Sequence, residues 1–161
     1  MLSLIYHMFT LSLVVPPNRR FIKKKYLKDI SDIFSAVLPE TQNGCIHISF
    51  VPEDTMIELN AHYRNKPVNT DVLSFAYTQN FETVVTHDVV WEVVFCENFI
   101  ILQAKAFWNT ELAEFLRLLT HGILHILGYD HESDEDYKEM QSREMPILES
   151  IASHFKIQIH S

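Results

Sequence analysis

The stretch from His121 to His131 constrains the fold of this chain more than any other feature, because it contains three histidines within eleven residues. An α-helix places His121 and His125 one turn apart on the same face. Glycine adopts a left-handed conformation at low cost, so Gly128 predicts the end of that helix and a turn that brings His131 back towards the other rings. The spacing therefore predicts a helix, a tight turn and a cluster of three imidazoles.

Three converging imidazoles are typical of a metal site. Neutral imidazole is a preferred zinc ligand, and three protein ligands leave the fourth tetrahedral position open to water, as in catalytic zinc sites. We predict one zinc ion per chain, held by His121, His125 and His131. The alternative is three unrelated histidines on an amphipathic helix. We assign that interpretation to the remaining histidines, which lack ligand spacing: His7, His47, His62, His87, His154 and His160.

The same spacing occurs in the metzincin peptidases, in which two helical histidines, a glycine and a third histidine bind zinc. Those enzymes carry a glutamate directly after the first histidine, and it acts as the general base. Here that position is Gly122, which has no side chain to accept a proton. The sequence therefore disfavours a peptidase and favours another metal-dependent hydrolase.

Hydrophobic periodicity predicts helices interleaved with about four strands, and so an α+β or α/β fold with one mixed sheet packed with helices. We expect the metal-binding helix near the C-terminus, capped by Thr110, and Pro146 starting or kinking the last part of the final helix. The predicted strands are Phe9 to Val15, Cys45 to Val51, Asp71 to Tyr77 and Val89 to Cys96. The predicted helices are Arg19 to Val37 with Asn18 as cap, Pro52 to Tyr63, Glu97 to Phe107, Thr110 to Gly128, and a last helix from Ser133.

The overall composition fits one globular domain spanning residues 1–161, with 47% hydrophobic and 21% charged residues. The apolar opening from Met1 to Val15 has no basic residue before it and is too short to cross a bilayer, so we expect no membrane role. Cys45 and Cys96 lie far apart in apolar runs, which indicates buried, reduced thiols. We therefore expect a cytoplasmic protein.

The net charge of −8 argues against a protein that coats nucleic acid nonspecifically, because a phosphate backbone attracts lysine and arginine. The charges are nevertheless segregated, since an acidic block runs from Asp130 to Glu139 and a basic block lies early in the chain. The basic block is either a candidate RNA-backbone contact, above all through its first four residues, or a solvated helix face. It comprises Arg19, Arg20, Lys23, Lys24, Lys25 and Lys28.

The histidine segment, which ends in Gly-Tyr-Asp-His, resembles the signature of the YbeY family of bacterial endoribonucleases. A second segment resembles that family's other characteristic block, and the two occur in the expected order. The resemblance covers the chain from about Ile46 to Met145. The second segment consists of Leu59, Asn60, Tyr63 and Arg64, followed by Thr70 to Phe75.

This resemblance implies a zincin-like α+β fold, a zinc ion, and single-strand-specific cleavage of RNA. The implied role is maturation of the 3′ end of small-subunit (16S) ribosomal RNA and ribosome quality control. The implied partners are ribosomal RNA and the ribosome, with ribosomal proteins as further candidates, and no DNA. The resemblance also places Arg64 in the site as a catalytic residue, and a guanidinium can bind a phosphate through two hydrogen bonds. The alternative for Arg64 is a structural salt bridge.

The chain departs from the family pattern at two places. Trp91-Glu92 stands where the family commonly has Gly-Asp before its fourth strand, and Val68-Asn69 replaces a Lys-Pro before Thr70. These departures affect the expected substrate contacts but not the metal ligands.

The residue pattern leaves the general base open. Asp130 either orients a histidine or stabilises a turn, and Asp71 is either an active-site carboxylate or a cap. Hydroxide can arise from the metal alone, or the 2′-hydroxyl of RNA can be the nucleophile. Phe75 and Tyr77 are candidates for base stacking or for the core. A second function class is also open, a noncatalytic ribosome-assembly factor whose metal is structural.

Overall fold

The computed structural model describes residues 9–38, 44–76 and 89–161, and this part of the chain forms four strands and five helices. The predicted α+β class is confirmed. Residues 39–43 of a predicted turn, and also His7, Tyr77 and His87, lie outside the described residues. In chain order the elements are β1 Phe9–Val15, α1 Tyr26–Val37, β2 Gly44–Val51, α2 Glu53–Arg64, β3 Val72–Ala76, β4 Val89–Cys96, α3 Glu97–Ala106, α4 Glu111–Ile126 and α5 Asp134–Phe155.

The four strands form one mixed sheet, as predicted, and their order is β1-β2-β4-β3. β1, β2 and β4 are parallel, whereas β3 runs antiparallel to β4 and lies at the edge. In the register of this last pair, Ser74 lies opposite Val93 and Phe75 opposite Glu92. Successive side chains of a strand point to opposite faces of the sheet, so Ser74 and Phe75 face different sides.

The inner face of the sheet carries the main hydrophobic core. Ile46, Ile48 and Phe50 of β2 alternate with outward residues, and they pack with Phe95 of β4 and Phe115 of α4. The opposite, outer face carries a smaller cluster beneath α2, formed by Met56, Leu73, Val94 and Cys96. Because side chains alternate along the strands, the sheet carries an apolar cluster on each face, and the cluster on the inner face is the larger of the two.

The first helix begins later than predicted. The sequence predicted a helix from Arg19 with Asn18 as its cap, but α1 starts at Tyr26. The carboxylate of Glu97 accepts hydrogen bonds from the backbone N–H groups of Asn18 and Arg19, at 2.9 and 2.7 Å. Ile22 is buried in the main core. These tertiary contacts hold the segment in a nonhelical conformation despite its helical periodicity.

The ends of the two C-terminal helices agree with the prediction. Thr110 caps α4 by accepting a hydrogen bond from the Ala113 N–H at 3.1 Å, and Ser133 caps α5 by accepting one from Asp136 at 3.1 Å. Gly128 follows α4 with a φ of 97°. Pro146 does not start a separate helical segment, so this part of the prediction was wrong. The helix α5 runs through this residue without a break. Pro146 is exposed, so water can satisfy the carbonyl group that lacks its helical donor.

Two further expectations concern the whole chain. Cys45 and Cys96 are both free and buried, as predicted. Within residues 9–38, 44–76 and 89–161, no helix has the length and apolar character needed to cross a membrane.

Candidate metal centre

The three predicted histidines converge at the end of α4. The Nε2 atoms of His121 and His125 lie 2.9 Å apart. After the turn at Gly128, the ring of His131 lies 5.7 Å from the His121 ring and 5.0 Å from the His125 ring, centroid to centroid. One ligand atom of each histidine lies within 4.8 Å of the others, so the three side chains can hold a metal ion.

The hydrogen bonds of two of these rings suit metal binding. His125 Nδ1 donates to the carbonyl oxygen of Tyr129 at 3.0 Å, and His121 Nδ1 donates to Glu144 Oε1 at 3.3 Å. A neutral imidazole that donates from Nδ1 keeps its lone pair on Nε2, which is the atom that faces the other histidine. Two nitrogens bound to one tetrahedral zinc ion lie about 3.3 Å apart. Rings that start at 2.9 Å therefore need to separate only slightly to accept zinc.

The electrostatics of the cluster favour the ligand form of His125. Its pKa lies below the ordinary value of 6.5, first because burial penalises the imidazolium and then because His121 and His131 repel a further positive charge. The Tyr129 carbonyl and Asp130 act in the opposite direction but less strongly. His125 is therefore held in the neutral form that binds metals.

Glu144 was missed in the sequence, and Asp130 was considered instead. Asp130 Oδ1 accepts the backbone N–H of His131 at 2.7 Å, so it stabilises the turn. Glu144 reaches His121 from α5, which packs against α4. The signal was present in the spacing, because Glu144 falls four residues after Met140 and four before Leu148, both buried residues of α5. This spacing places the Glu144 carboxylate on the same face of α5 as these buried residues, and so towards the neighbouring helix.

His121 and His125 open onto a cleft between β3 and α4, here called the metal cleft, with a volume of about 540 Å³. Among the described residues that line it, none carries a carboxylate, and Asp71 instead accepts the N–H of Val72 at 2.8 Å, as a cap does. The cleft is lined by Arg64, Val72, Leu73, Ser74, Ala76, His121, Gly122, His125 and Ile126.

Arg64 lies in this cleft with the histidines. It is the last residue of α2, and Asn65 follows it in the left-handed conformation that ends the helix. Its Nη2 atom donates to the carbonyl oxygen of Ser74 at 3.4 Å, and its side chain is exposed. Arg64 forms no ion pair with any residue in the part of the chain that the structure describes. The guanidinium is therefore held at the metal cleft by one long hydrogen bond and can turn towards a ligand.

The basic segment lies away from the metal cleft. Arg19 Nη2 pairs with Glu111 Oε1 at 2.7 Å, at the first residue of α4. Glu111 and His121 are ten residues apart on that helix, which separates them by about 15 Å along its axis. Arg20, Lys23 and Lys24 are exposed. Arg19, Arg20, Lys23 and Lys24 precede α1 and are therefore not presented by a helix face, whereas Lys28 lies within that helix.

Comparison with known proteins identifies the family. The family model described as endoribonuclease YbeY matches residues 17–152. The chain belongs to this family. The endoribonuclease YbeY of Ureaplasma parvum is 36% identical over 124 residues, covering 77% of this chain and 78% of that protein. That of Mycoplasmopsis synoviae is 34% identical over 135 residues, covering 83% and 84%. A solution structure of a Thermotoga maritima protein superimposes with a TM-score of 0.61 at 28% identity, covering 92% of both chains.

The two departures from the YbeY pattern have clear places in the fold. Trp91 and Glu92 lie within β4 and not before it, with Trp91 only 1% exposed in the main core and Glu92 on the outer face. Val68 lies in the loop after α2, where its carbonyl oxygen accepts a hydrogen bond from Asn60 Nδ2 at 2.8 Å. This backbone contact holds the loop between Arg64 and β3, so the identity of the Val68 side chain matters little for it.

Proposed function

We propose that this chain is a zinc-dependent endoribonuclease that cleaves single-stranded RNA in the metal cleft. Membership of the YbeY family makes it a hydrolase acting on RNA. The observation that carries the assignment to this cleft is that Arg64 and two of the three clustered histidines line it. In the cell, we propose the 3′ end of 16S ribosomal RNA as substrate, with action in the cytoplasm on ribosomal particles.

The residues of the cleft have distinct roles in this reaction. When bound, a zinc ion supplies a water molecule whose pKa falls to about 7 and a positive charge that polarises a phosphoryl oxygen. The Nε2 atoms of His121 and His125, together with a nitrogen of His131, would hold that ion. Arg64 leaves the Ser74 carbonyl and donates two hydrogen bonds to the scissile phosphate, so that it offsets the negative charge that develops there.

The described part of the cleft lining contains no carboxylate, and this separates the site from peptidases. Gly122 occupies the position of the peptidase glutamate, and Glu144 contacts the Nδ1 side of His121, away from the ligand atom. A bound zinc ion would supply the hydroxide nucleophile, or the RNA would contribute its own 2′-hydroxyl as the nucleophile. A noncatalytic assembly factor with a structural metal would not need an arginine in the same cleft as the metal ligands, whereas Arg64 lies there.

The deciding experiment compares chelator-treated protein with zinc-reconstituted protein on a single-stranded RNA, the same RNA in a duplex, and single-stranded DNA. We expect cleavage of the single-stranded RNA only, and only with zinc. His121→Ala and His125→Ala, purified in the same way, should lose most of the bound metal and the activity, which controls for contaminating nucleases. Equal cleavage by metal-free protein would contradict the proposal, and binding without cleavage would indicate the assembly factor.

The basic segment belongs to a separate part of the proposal. We propose that Arg20, Lys23 and Lys24 contact the RNA backbone outside the metal cleft, with Arg19 held in place by Glu111. Their exposure, and the position of the nearby Arg19 at the start of α4, support a nonspecific contact with phosphates. Such contacts weaken as the salt concentration rises.

A further inference from the structure

The turn between α3 and α4, residues 107–110, exposes a tryptophan. Trp108 is 88% exposed, the largest fraction of any large hydrophobic side chain in the described residues. Its φ of 60° lies in the left-handed region, where the residue that ends a helix is usually glycine or asparagine. The core does not use this indole, and the backbone conformation suits glycine better, so the fold itself does not require tryptophan here.

The backbone of this turn is held in place on both sides of the indole. The Asn109 N–H donates to the carbonyl oxygen of Ala104 at 2.9 Å, and Asn109 Nδ2 donates to Glu114 Oε2 at 2.9 Å. The Asn109 side chain also exchanges two hydrogen bonds with the backbone of His160, at 2.8 and 2.7 Å. A fixed turn therefore presents the ring to solvent, which lowers the cost of ordering it when a ligand binds.

The turn and the basic segment line a common cleft of about 510 Å³. The basic segment contributes Phe21, which lies between Arg20 and Lys23 in the chain. Lys105, at the end of α3, and Asn109, in the turn, also line it. Consecutive Cα atoms lie about 3.8 Å apart, so Trp108 borders this cleft through its neighbour Asn109.

The charges beside this cleft favour an anionic partner. The chain carries 13 Lys and Arg against 21 Asp and Glu, yet six of the 13 lie between Arg19 and Lys28, where there is no acidic residue. Lys105 adds an exposed cation to the cleft lining. Glu111 is the one carboxylate among the described lining residues, and Arg19 offsets its charge at 2.7 Å. The surface is therefore locally basic on an acidic protein.

Cations beside an exposed aromatic ring are typical of sites for single-stranded nucleic acid, in which lysine and arginine bind the phosphates and unpaired bases stack on the ring. A duplex keeps its bases paired and stacked on one another, so it offers none to the indole. A second copy of the chain is disfavoured, because a self-complementary interface here would place Lys105 and the basic segment against like charges.

We propose that Trp108 stacks on an unpaired base of the RNA substrate while Lys105 and the basic segment bind the adjoining phosphates. This surface lies at the N-terminal end of α4, about 15 Å along the helix axis from the metal-binding histidines. The inference rests on the proposed RNA substrate, and it adds to the phosphate contacts a stacking position remote from the metal cleft. Trp108 should therefore act on affinity and not on the chemical step.

Tryptophan fluorescence measures this contact directly, because the chain has two tryptophans and the other, Trp91, is only 1% exposed. Titration of the full chain with oligouridylate of about twelve nucleotides should quench the emission of Trp108. The same strand in a duplex should quench it much less. Chelator-treated and zinc-loaded protein should respond alike, since the surface needs no metal.

Variants at Trp108 separate stacking from a structural role. Trp108→Gly removes the ring and suits the left-handed backbone, so it should keep or raise the melting temperature and yet weaken oligouridylate binding by about fivefold or more. In cleavage by zinc-loaded protein, KM should rise while kcat stays unchanged. Trp108→Phe should keep most of the affinity, because phenylalanine also stacks. Tyr137→Ala, at an aromatic residue that is 54% exposed on α5, should bind as the wild type does.

A second pair of variants tests the cation. Lys105→Gln should weaken binding and reduce the slope of log affinity against log salt concentration by about 0.7, the value for one phosphate contact on a single strand. Lys138→Gln, at an exposed lysine of α5, should keep the wild-type slope. An unchanged slope in Lys105→Gln would remove this residue from the surface.

The outcomes distinguish this inference from the proposed function. If the protein cleaves single-stranded RNA but shows no quenching, and Trp108→Gly binds as tightly as Tyr137→Ala, the stacking surface is wrong and the endoribonuclease stands. Quenching without cleavage would support the surface and contradict the proposed cleavage. If the protein neither binds nor cleaves RNA, both proposals fail. If Trp108→Gly abolishes a dimer seen by sedimentation and leaves RNA affinity unchanged, a second copy of the chain covers Trp108, and the stacking surface is again wrong.

Discussion

At the scale of single residues, Arg64 is the side chain whose role separates catalysis from structure. Its contact within the described residues is a 3.4 Å hydrogen bond to the Ser74 carbonyl, so its removal costs the fold little. If it binds the scissile phosphate in the transition state, Arg64→Ala should lower cleavage by roughly two orders of magnitude, a loss of about 3 kcal/mol. Arg64→Lys should recover only part, because an ammonium group keeps the charge but not the planar fork.

The measurement combines RNA cleavage, bound zinc and melting temperature on the same preparations. Lys66→Ala, an exposed cation two residues further on, serves as the control for a general loss of positive charge. A stable, zinc-replete and fully active Arg64→Ala protein would remove this residue from the mechanism.

Glu144 makes a prediction that does not depend on RNA at all. Its carboxylate accepts from His121 Nδ1, and groups that orient a metal-bound histidine in this way typically contribute 10- to 100-fold to metal affinity. Glu144→Ala should therefore raise the zinc dissociation constant by about that factor, and Glu144→Gln, which keeps an acceptor, should raise it less. Glu149→Ala, exposed on the same helix, should leave it unchanged. Competition with a chromophoric chelator measures all three, and equal affinities would show that Glu144 does not orient His121.

At the scale of elements, α4 and the turn that follows it contain two glycines whose replacement by alanine should have opposite effects on stability. Among the described residues, a Cβ atom at Gly122 would meet only the Ser74 hydroxyl, at 3.9 Å, which is an ordinary contact. Gly122→Ala should therefore stabilise the helix by about 0.5–1 kcal/mol. Gly128 has a φ of 97°, and no atom of the described residues lies within 4 Å of an added Cβ, so we assign the cost of Gly128→Ala to the backbone.

We expect Gly128→Ala to destabilise the protein by roughly 1–2 kcal/mol and to weaken zinc binding, because this turn places His131. Chemical denaturation of the metal-free variants measures the first effect, and zinc titration measures the second. Two variants that shift stability in the same direction would contradict the assignment of the turn.

The success of the sequence prediction also differed between elements for physical reasons. β1 and β4 were predicted with their observed bounds because each is an uninterrupted run of strand-forming residues. The start of α1 was wrong because the carboxylate of Glu97, far away in sequence, captures the backbone of Asn18 and Arg19. Local periodicity describes the helix propensity of that segment but carries no information on such a distant acceptor.

At the scale of the whole molecule, the difference between local and long-range interactions explains which parts of the site could be predicted from the sequence. The convergence of His121, His125 and His131 is local, since a helix and a glycine turn determine it. The placement of Arg64 in the cleft depends on how α2 and β3 pack, and from the sequence it came only through the family resemblance. Glu144 depends on the packing of α5 against α4, and the resemblance did not supply it.

The stability of the whole molecule should depend on pH through the metal cluster. The pKa of His125 is lower in the folded protein than its ordinary value of 6.5, so the unfolded chain binds more protons in this range. The contribution of His125 to stability is therefore fully present above about pH 6.5 and is lost as the pH falls through the lowered pKa. Zinc competes with protons for the same nitrogens, so zinc-loaded protein should lose its additional stability over the same range.

Denaturant titrations at a series of pH values between about 7.5 and 5, with chelator and with zinc, test this prediction. The free energy of unfolding should fall on acidification in both series, and more steeply with zinc, because protonation also releases the ion. His125→Gln has no titrating group at this position, so its metal-free protein should show a flatter dependence. If the variant keeps the wild-type slope, protonation of His125 is not the cause, and the acid sensitivity lies elsewhere in the fold.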